Sequence, residues 1–131
     1  MLRQKKTIYE EMGGSETIEF VVKEFYSRVL ADTRIAKFFE GVDMGRQMHK
    51  QSLFLGMIFG GPEQFTGKSL SVAHHPLLLR GLGDEHVDAL LEDLGATLVA
   101  LKFRRSLIAR ILTTANSFRN EVLSRELPQD S

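Results

Sequence analysis

The chain contains no cysteine, which removes disulfides, thiol catalysis and iron–sulfur or zinc–thiolate sites together. Neither sign of charge is in excess. Seventeen basic and seventeen acidic side chains cancel across 131 residues, so no global field selects nucleic acid or an anionic membrane. No apolar run reaches the length of a membrane span. The basic opening at residues 1–7 is not followed by the apolar core of a signal peptide. Alternating strand-like runs, internal repeats and low-complexity stretches are also missing. The expectation is a soluble, all-α protein, compatible with a cytoplasmic location, that forms a single domain over residues 1–131 with a frayed polar tail at 124–131 that contains Pro128.

What is present is a helical period of apolar residues. Thr7 and Glu10 have capping-box spacing and predict a short helix that ends at Gly13-Gly14. Ser15 is placed to cap a longer helix with Ile18, Val21, Val22, Phe25, Tyr26 and Val29 on its buried stripe. Asp32-Thr33 begins a brief turn bearing Ile35, Phe38 and Phe39, stopped by Gly41. A helix between Gly45 and Gly60 follows and breaks at Gly60-Gly61-Pro62. Pro76 suits the first turn of a short helix and leaves His74 at its entrance. Asp84 is placed to cap a helix bearing Val87, Leu90, Leu91, Leu94 and Leu98. One last helix is expected to carry Leu107, Ile108, Ile111, Leu112, Ala115, Phe118 and Val122.

The chemistry concentrates in the helix after Gly45. Gln47 and Gln51 lie one turn apart on the stripe that Phe54 and Ile58 would bury. A buried amide without a partner costs about 1–3 kcal/mol, so this pattern points to a polar ligand in an apolar pocket. Of the four histidines, His86 reads as a solvated surface residue, and His49 lies about 200° around the helix from Gln47. His74, beside Ala73 and Leu77, reads either as a core histidine satisfied by backbone or as a ligand. Taken alone, Tyr26 is a core tyrosine and Phe38-Phe39 is core packing. Together, one imidazole, one phenol and two amides on apolar faces suit a large flat cofactor. The imidazole would serve one side of it and hydrogen-bond donors the other.

At this point the chain resembles the truncated haemoglobins of group I, over a core of about residues 7–123. Ile8-Tyr9-Glu10-Glu11-Met12-Gly13-Gly14 is similar to the family's opening helix and first glycine pair. Phe25-Tyr26-Ser27-Arg28-Val29-Leu30-Ala31-Asp32 resembles its distal-tyrosine segment. Phe38-Phe39-Glu40-Gly41-Val42-Asp43-Met44, Phe59-Gly60-Gly61 and Ala73-His74 follow in the family's order. The resemblance implies a two-over-two helical sandwich around one haem b. His74 becomes the proximal iron ligand, and Tyr26, Gln47 and Gln51 the distal polar cluster. Phe39 packs on the haem face, with Phe38, Phe54, Leu77 and Leu91 among the cofactor contacts. Arg46 and Lys68 stand either as propionate partners or as ordinary solvated cations. Some members carry a histidine in the last helix that bonds a haem vinyl. Here that helix holds Thr113, Thr114, Asn116, Ser117 and Phe118, so attachment is expected to be non-covalent. The family's usual Gly-Val-Pro before the last helix is replaced by Lys102-Phe103-Arg104-Arg105.

The functions the resemblance implies are reversible binding of dioxygen and nitric oxide by a monomer, and nitric oxide dioxygenation. In that reaction the dioxygen-bound ferrous form turns nitric oxide to nitrate and is left ferric. No flavin or nicotinamide motif is present, so electrons must come from a separate reductase. The alternative is a six-coordinate electron-transfer or redox-sensing haem protein in which Lys50 is a sixth ligand. Its spacing from Gln47 allows this, and its amine must first lose a proton. Snorkelling to solvent or pairing with a propionate is the competing use of Lys50. A haem-free helical interaction domain would explain the burial pattern but not the set of Tyr26, Gln47, Gln51 and His74.

Overall fold

The computed structural model describes residues 6–61, 80–123 and 125, and every regular element among them is helical. Helix α1 (Ile8–Met12) opens on the reciprocal capping box of Thr7 and Glu10, and Gly13, at φ 111°, ends it in the left-handed region. Helix α2 (Ser15–Ala31) buries the six predicted residues of its stripe. Its N-cap is Gly14, and Ser15 is its first helical residue with no side-chain cap bond, a one-residue correction. A short 3₁₀ turn (Ala36–Phe39) follows and buries Phe38 and Phe39. Helix α3 (Met44–Ile58) starts where the Asp43 carboxylate accepts from the Arg46 backbone N–H.

Helix α4 (Asp84–Ala100) is capped by Gly83, so Asp84 is its first residue and not its cap. The expected single last helix is two: α5 (Arg105–Asn116) and α6 (Arg119–Val122). The break follows Thr113-Thr114-Ala115-Asn116-Ser117, a run short of strong helix formers. There the Ser117 hydroxyl donates to the Thr114 carbonyl at 2.6 Å, offering the chain a local alternative to helix continuation.

Helix α2 is the centre of the fold, packed on both α3 and α4, while α4 packs on α5. This is the two-over-two arrangement, with α2 and α3 as one pair and α4 and α5 as the other. Ile18, Val21, Val22, Val29, Ile35, Leu98, Leu107 and Ile111 are buried between the pairs. Helix α1 closes one end: the Tyr9 N–H donates to the Phe59 carbonyl at 2.8 Å, and Glu11 pairs with Arg104 and Arg110. That closure explains the second glycine of the break after α3. A Cβ on Gly61 would lie 2.7 Å from the Gly56 carbonyl oxygen and from the Tyr9 ring, closer than side chains approach. No described helix is long and apolar enough to cross a membrane. His74, Lys68, Leu77 and the short helix expected near Pro76 lie outside the described residues, as do residues 126–131.

Candidate functional site

Between the two helix pairs lies a cleft that, with its mouth, holds about 740 Å³ of atom-free space. Helix α2 supplies Phe25 and Tyr26, the 3₁₀ turn Phe39, and α3 Gln47, Gln51, Phe54 and Leu55. The facing wall is Leu82 with Val87, Leu90, Leu91 and Leu94 of α4, and Ala115, Arg119 and Val122 close the third side. A mostly apolar cleft with a few convergent polar groups is how a small-molecule site is built.

The polar groups are arranged by the helices that carry them. Tyr26 is 4% exposed, and its ring is held edge-on by Phe25 at 5.0 Å and Phe39 at 5.5 Å between centroids. The Gln47 amide nitrogen donates to its hydroxyl oxygen at 3.2 Å. Burial pushes the phenol up to about 12, against which the Gln47 hydrogen bond acts weakly. The hydroxyl is therefore neutral at any physiological pH. Since its oxygen accepts from Gln47, its proton remains to be donated to a guest. Gln51 lies one turn along α3, half-buried, and lines the same cleft.

Of the residues singled out in the sequence, Tyr26, Phe39, Gln47, Gln51, Phe54 and Leu91 meet at this cleft. Phe38 does not line it; its ring is 1% exposed and meets the His86 imidazole edge-on at 4.6 Å. Arg46 and Lys50 lie exposed on α3. His49 faces away, as expected, into a groove shared with Glu19 and Ser52. His86 departs from its solvated reading. Its side chain is only 15% exposed, and its Nδ1 accepts from the Gly83 N–H at 2.9 Å. That capping role was legible in principle, since His86 is the third residue of α4, where a capping box places its acceptor. Leu82, Val87, Ala115, Arg119 and Val122 were not foreseen at the cleft. For Arg119 no sequence signal exists, because an arginine between apolar positions normally reads as solvated.

A sandwich of two helix pairs enclosing an apolar cleft with a phenol and two amides on one wall defines a cofactor-binding globin. A profile of the bacterial-like globins matches residues 7–124. A group 1 truncated haemoglobin of Synechocystis sp. is 41% identical over 112 residues, 85% of this chain and 90% of the relative. That of Tetrahymena pyriformis is 36% identical over 124 residues, 95% of this chain and all of the relative. The 2/2 haemoglobin of Synechococcus sp., crystallised in the cyanomet state with covalently attached haem, superposes with a TM-score of 0.83. It is 38% identical, and the match covers 92% of this chain and 100% of that one. The Fe(III) form of the Tetrahymena pyriformis protein gives a TM-score of 0.80 at 36% identity, covering 90% and 98% of the two chains. The chain belongs to the truncated haemoglobins of group I, a globin family of gas-binding haem proteins.

Proposed function

We propose that the chain binds haem b non-covalently, with His74 as the proximal ligand, and that its Tyr26–Gln47–Gln51 wall stabilises dioxygen and nitric oxide in the service of nitric oxide dioxygenation. The observation that carries the reading is the Gln47–Tyr26 hydrogen bond inside an apolar cleft, because it leaves the buried hydroxyl proton directed to a guest. The donor set fits the cofactor: a flat apolar macrocycle suits Phe39, Phe54, Leu91 and Leu94, and neutral donors suit a diatomic ligand that takes on negative charge. Structures of the Tetrahymena protein include variants in which a tyrosine or one of two glutamines is replaced. Their separations of 21 and 4 residues are those of Tyr26, Gln47 and Gln51 here.

Haem supplies the iron that binds the gas and changes oxidation state. The protein's part is to orient the gas by Tyr26 and Gln47, to keep water out through the apolar wall, and to hold the macrocycle. Non-covalent attachment is the reading supported by the last helices, where Thr113, Thr114, Asn116, Ser117 and Phe118 stand and no histidine is found to bond a vinyl group. A separate reductase, a monomeric state and a cytoplasmic setting complete the proposal, and Arg46 and Lys68 are its propionate partners.

The test is rapid mixing of the haem-loaded, dioxygen-bound protein with nitric oxide. Prompt oxidation to the ferric form with one nitrate per haem is expected; no reaction overturns the dioxygenation. A protein that shows no Soret band after haem addition overturns the haem reading itself. Ferric spectra across pH address the alternative use of the pocket. If Lys50 ligates, a low-spin form at alkaline pH disappears in Lys50→Ala, and identical spectra leave electron transfer through a His74/Lys50 pair without support.

A further inference from the structure

One side of the cleft carries a charge where the others are apolar or neutral. Arg119, with 18% of its side chain exposed, reaches it from α6, a helix of four residues. Almost every donor of its guanidinium is already engaged. Nε donates to the Asn116 side-chain oxygen at 2.9 Å, and Nη1 to the Asp84 carbonyl and carboxylate at 3.2 and 3.1 Å. Nη2 donates to the Asp88 carboxylate at 2.6 Å. Arg125 adds a second cation on the other oxygen of Asp84, at 2.6 Å. The two arginines hold the Asp84 carboxyl below its usual range. Arg119 is therefore turned toward the first turns of α4 and has little charge left to offer a guest.

The consequence for the cleft lies in what travels with Arg119. Val122, three residues on, and Ala115, four residues back, both line the same space. Helix α6 is set off from α5 by a turn at Ser117-Phe118, and a helix of four residues has little stability of its own. Its place must be fixed by contacts, and the ionic ones run from Arg119 and Arg125 to Asp84 and Asp88.

We propose that Arg119 is a positioning residue that latches α6 onto α4 and thereby sets how long the cleft retains its cofactor. This rests on the reading that the cofactor is haem. Individual exposed ion pairs are weak, but three sharing two carboxylates amount to roughly a tenfold effect on an escape rate.

The test measures haem transfer from the loaded protein to an excess of an apo-globin acceptor, followed by the Soret change at low and high salt. Wild type should lose haem faster as salt screens the latch. Arg119→Met should lose it several-fold faster at low salt and respond less to salt than wild type, because the Arg125–Asp84 pair remains. Asp84→Asn/Asp88→Asn, which removes all three pairs, should lose it roughly tenfold faster with the smallest salt response, and combining it with Arg119→Met should add nothing. Equal loss rates, or a salt response undiminished by Arg119→Met, overturn the proposal. Hydrogen exchange on the haem-free protein separates a latch from general destabilisation and needs no cofactor. Arg119→Met should speed exchange at Val122 and Leu123 and leave Val22 in α2 unchanged. Acceleration equal at all three, or at none, overturns the latch. A wild type that takes up no haem refutes the proposed function instead, and the exchange result still decides the latch.

Discussion

The molecule handles polarity in two opposite ways. Inside the cleft, Tyr26 and Gln47 are neutral, with Tyr26 nine-tenths buried and each a specific donor or acceptor. Outside, at the junction of α2 and α4, polarity is charge: Arg34 bonds Asp32 at 2.8 Å and Glu92 at 2.5 Å, with Asp93 next to Asp32. Burying a charge without full compensation costs several kcal/mol, whereas a neutral hydroxyl needs only one partner. The difference teaches where each chemistry is affordable. Neutral donors go where a guest must be oriented in an apolar space, and charges go where water still supports them and the task is to hold helices together.

Placing a charge in the cleft breaks this division most severely. Gln47→Glu removes the donor to the Tyr26 oxygen and sets a carboxyl beside Tyr26 among Phe25, Phe39 and Phe54. A loss of about 2–3 kcal/mol is expected at pH 8. Burial raises the pKa of the new carboxyl in the folded state, so the penalty is full above that value and fades as pH falls toward ~4. Denaturant midpoints across pH measure it, and a flat profile would show that the site is wetter than the contacts indicate.

Removing the buried hydroxyl is gentler. Tyr26→Phe keeps the ring contacts with Phe25 and Phe39 but leaves the Gln47 amide without its acceptor. Dioxygen release from the haem-loaded protein should accelerate about tenfold, roughly 1.4 kcal/mol, and the unpaired amide should cost the fold about 1 kcal/mol. A larger loss of stability than of gas retention would mean that the hydrogen bond serves the fold.

The outer network responds in the opposite sense. Desolvation, and then the Asp32 carboxyl, raise Asp93 from 3.8 to about 6, while Arg34 holds Asp32 well below its usual range. Between these pH values the folded state keeps a proton that the unfolded chain has released, so stability from Asp93 declines as pH rises from 3.8 to about 6. Asp32 runs the other way: its contribution is present at neutral pH and lost as pH falls below its ordinary value. Asp93→Asn should therefore stabilise above pH ~6, by at most about 1 kcal/mol in a cluster whose Arg34 and Glu92 side chains are more than half exposed. The gain should vanish by pH ~4, where the native carboxyl is protonated in both states. Urea midpoints at the two ends of that range decide it.

How much of this was legible depended on what kind of signal each feature leaves. The stripe of α2 was readable residue by residue because a helix with one buried face has a fixed period. Tyr26, Gln47 and Gln51 were readable because polar groups on such a stripe need an internal reason. The split between α5 and α6 was not, since Leu107 to Val122 keep helical spacing across it and only the Ser117 contacts reveal the break. Arg119 was also hidden, and so was the packing of His86 on Phe38. Their roles depend on Asp84, Asp88 and Phe38, partners chosen by tertiary packing, and a single chain's pattern does not record who meets whom.

The smallest expected effect concerns the junction where the sequence departs from its family. Helix α4 ends in a Schellman motif: the Lys102 N–H donates to the Val99 carbonyl at 3.0 Å and the Phe103 N–H to the Leu98 carbonyl at 3.1 Å. The motif requires a left-handed residue after the cap, and Lys102 takes it at φ 64°, the only described residue other than glycine with positive φ. Glycine is the ordinary occupant because it has no Cβ to strain there, and it is the residue the family resemblance leads one to expect. Lys102→Gly removes about 1–2 kcal/mol of backbone strain but restores unfolded-chain freedom of about 1 kcal/mol. The net expectation is a stabilisation of ~0.5 kcal/mol, read as a small rise in Tm with gas binding unchanged. No gain at all would mean that the aliphatic stem of Lys102 packs well enough to offset its backbone, making this outer corner a packed feature and not merely a tolerated one.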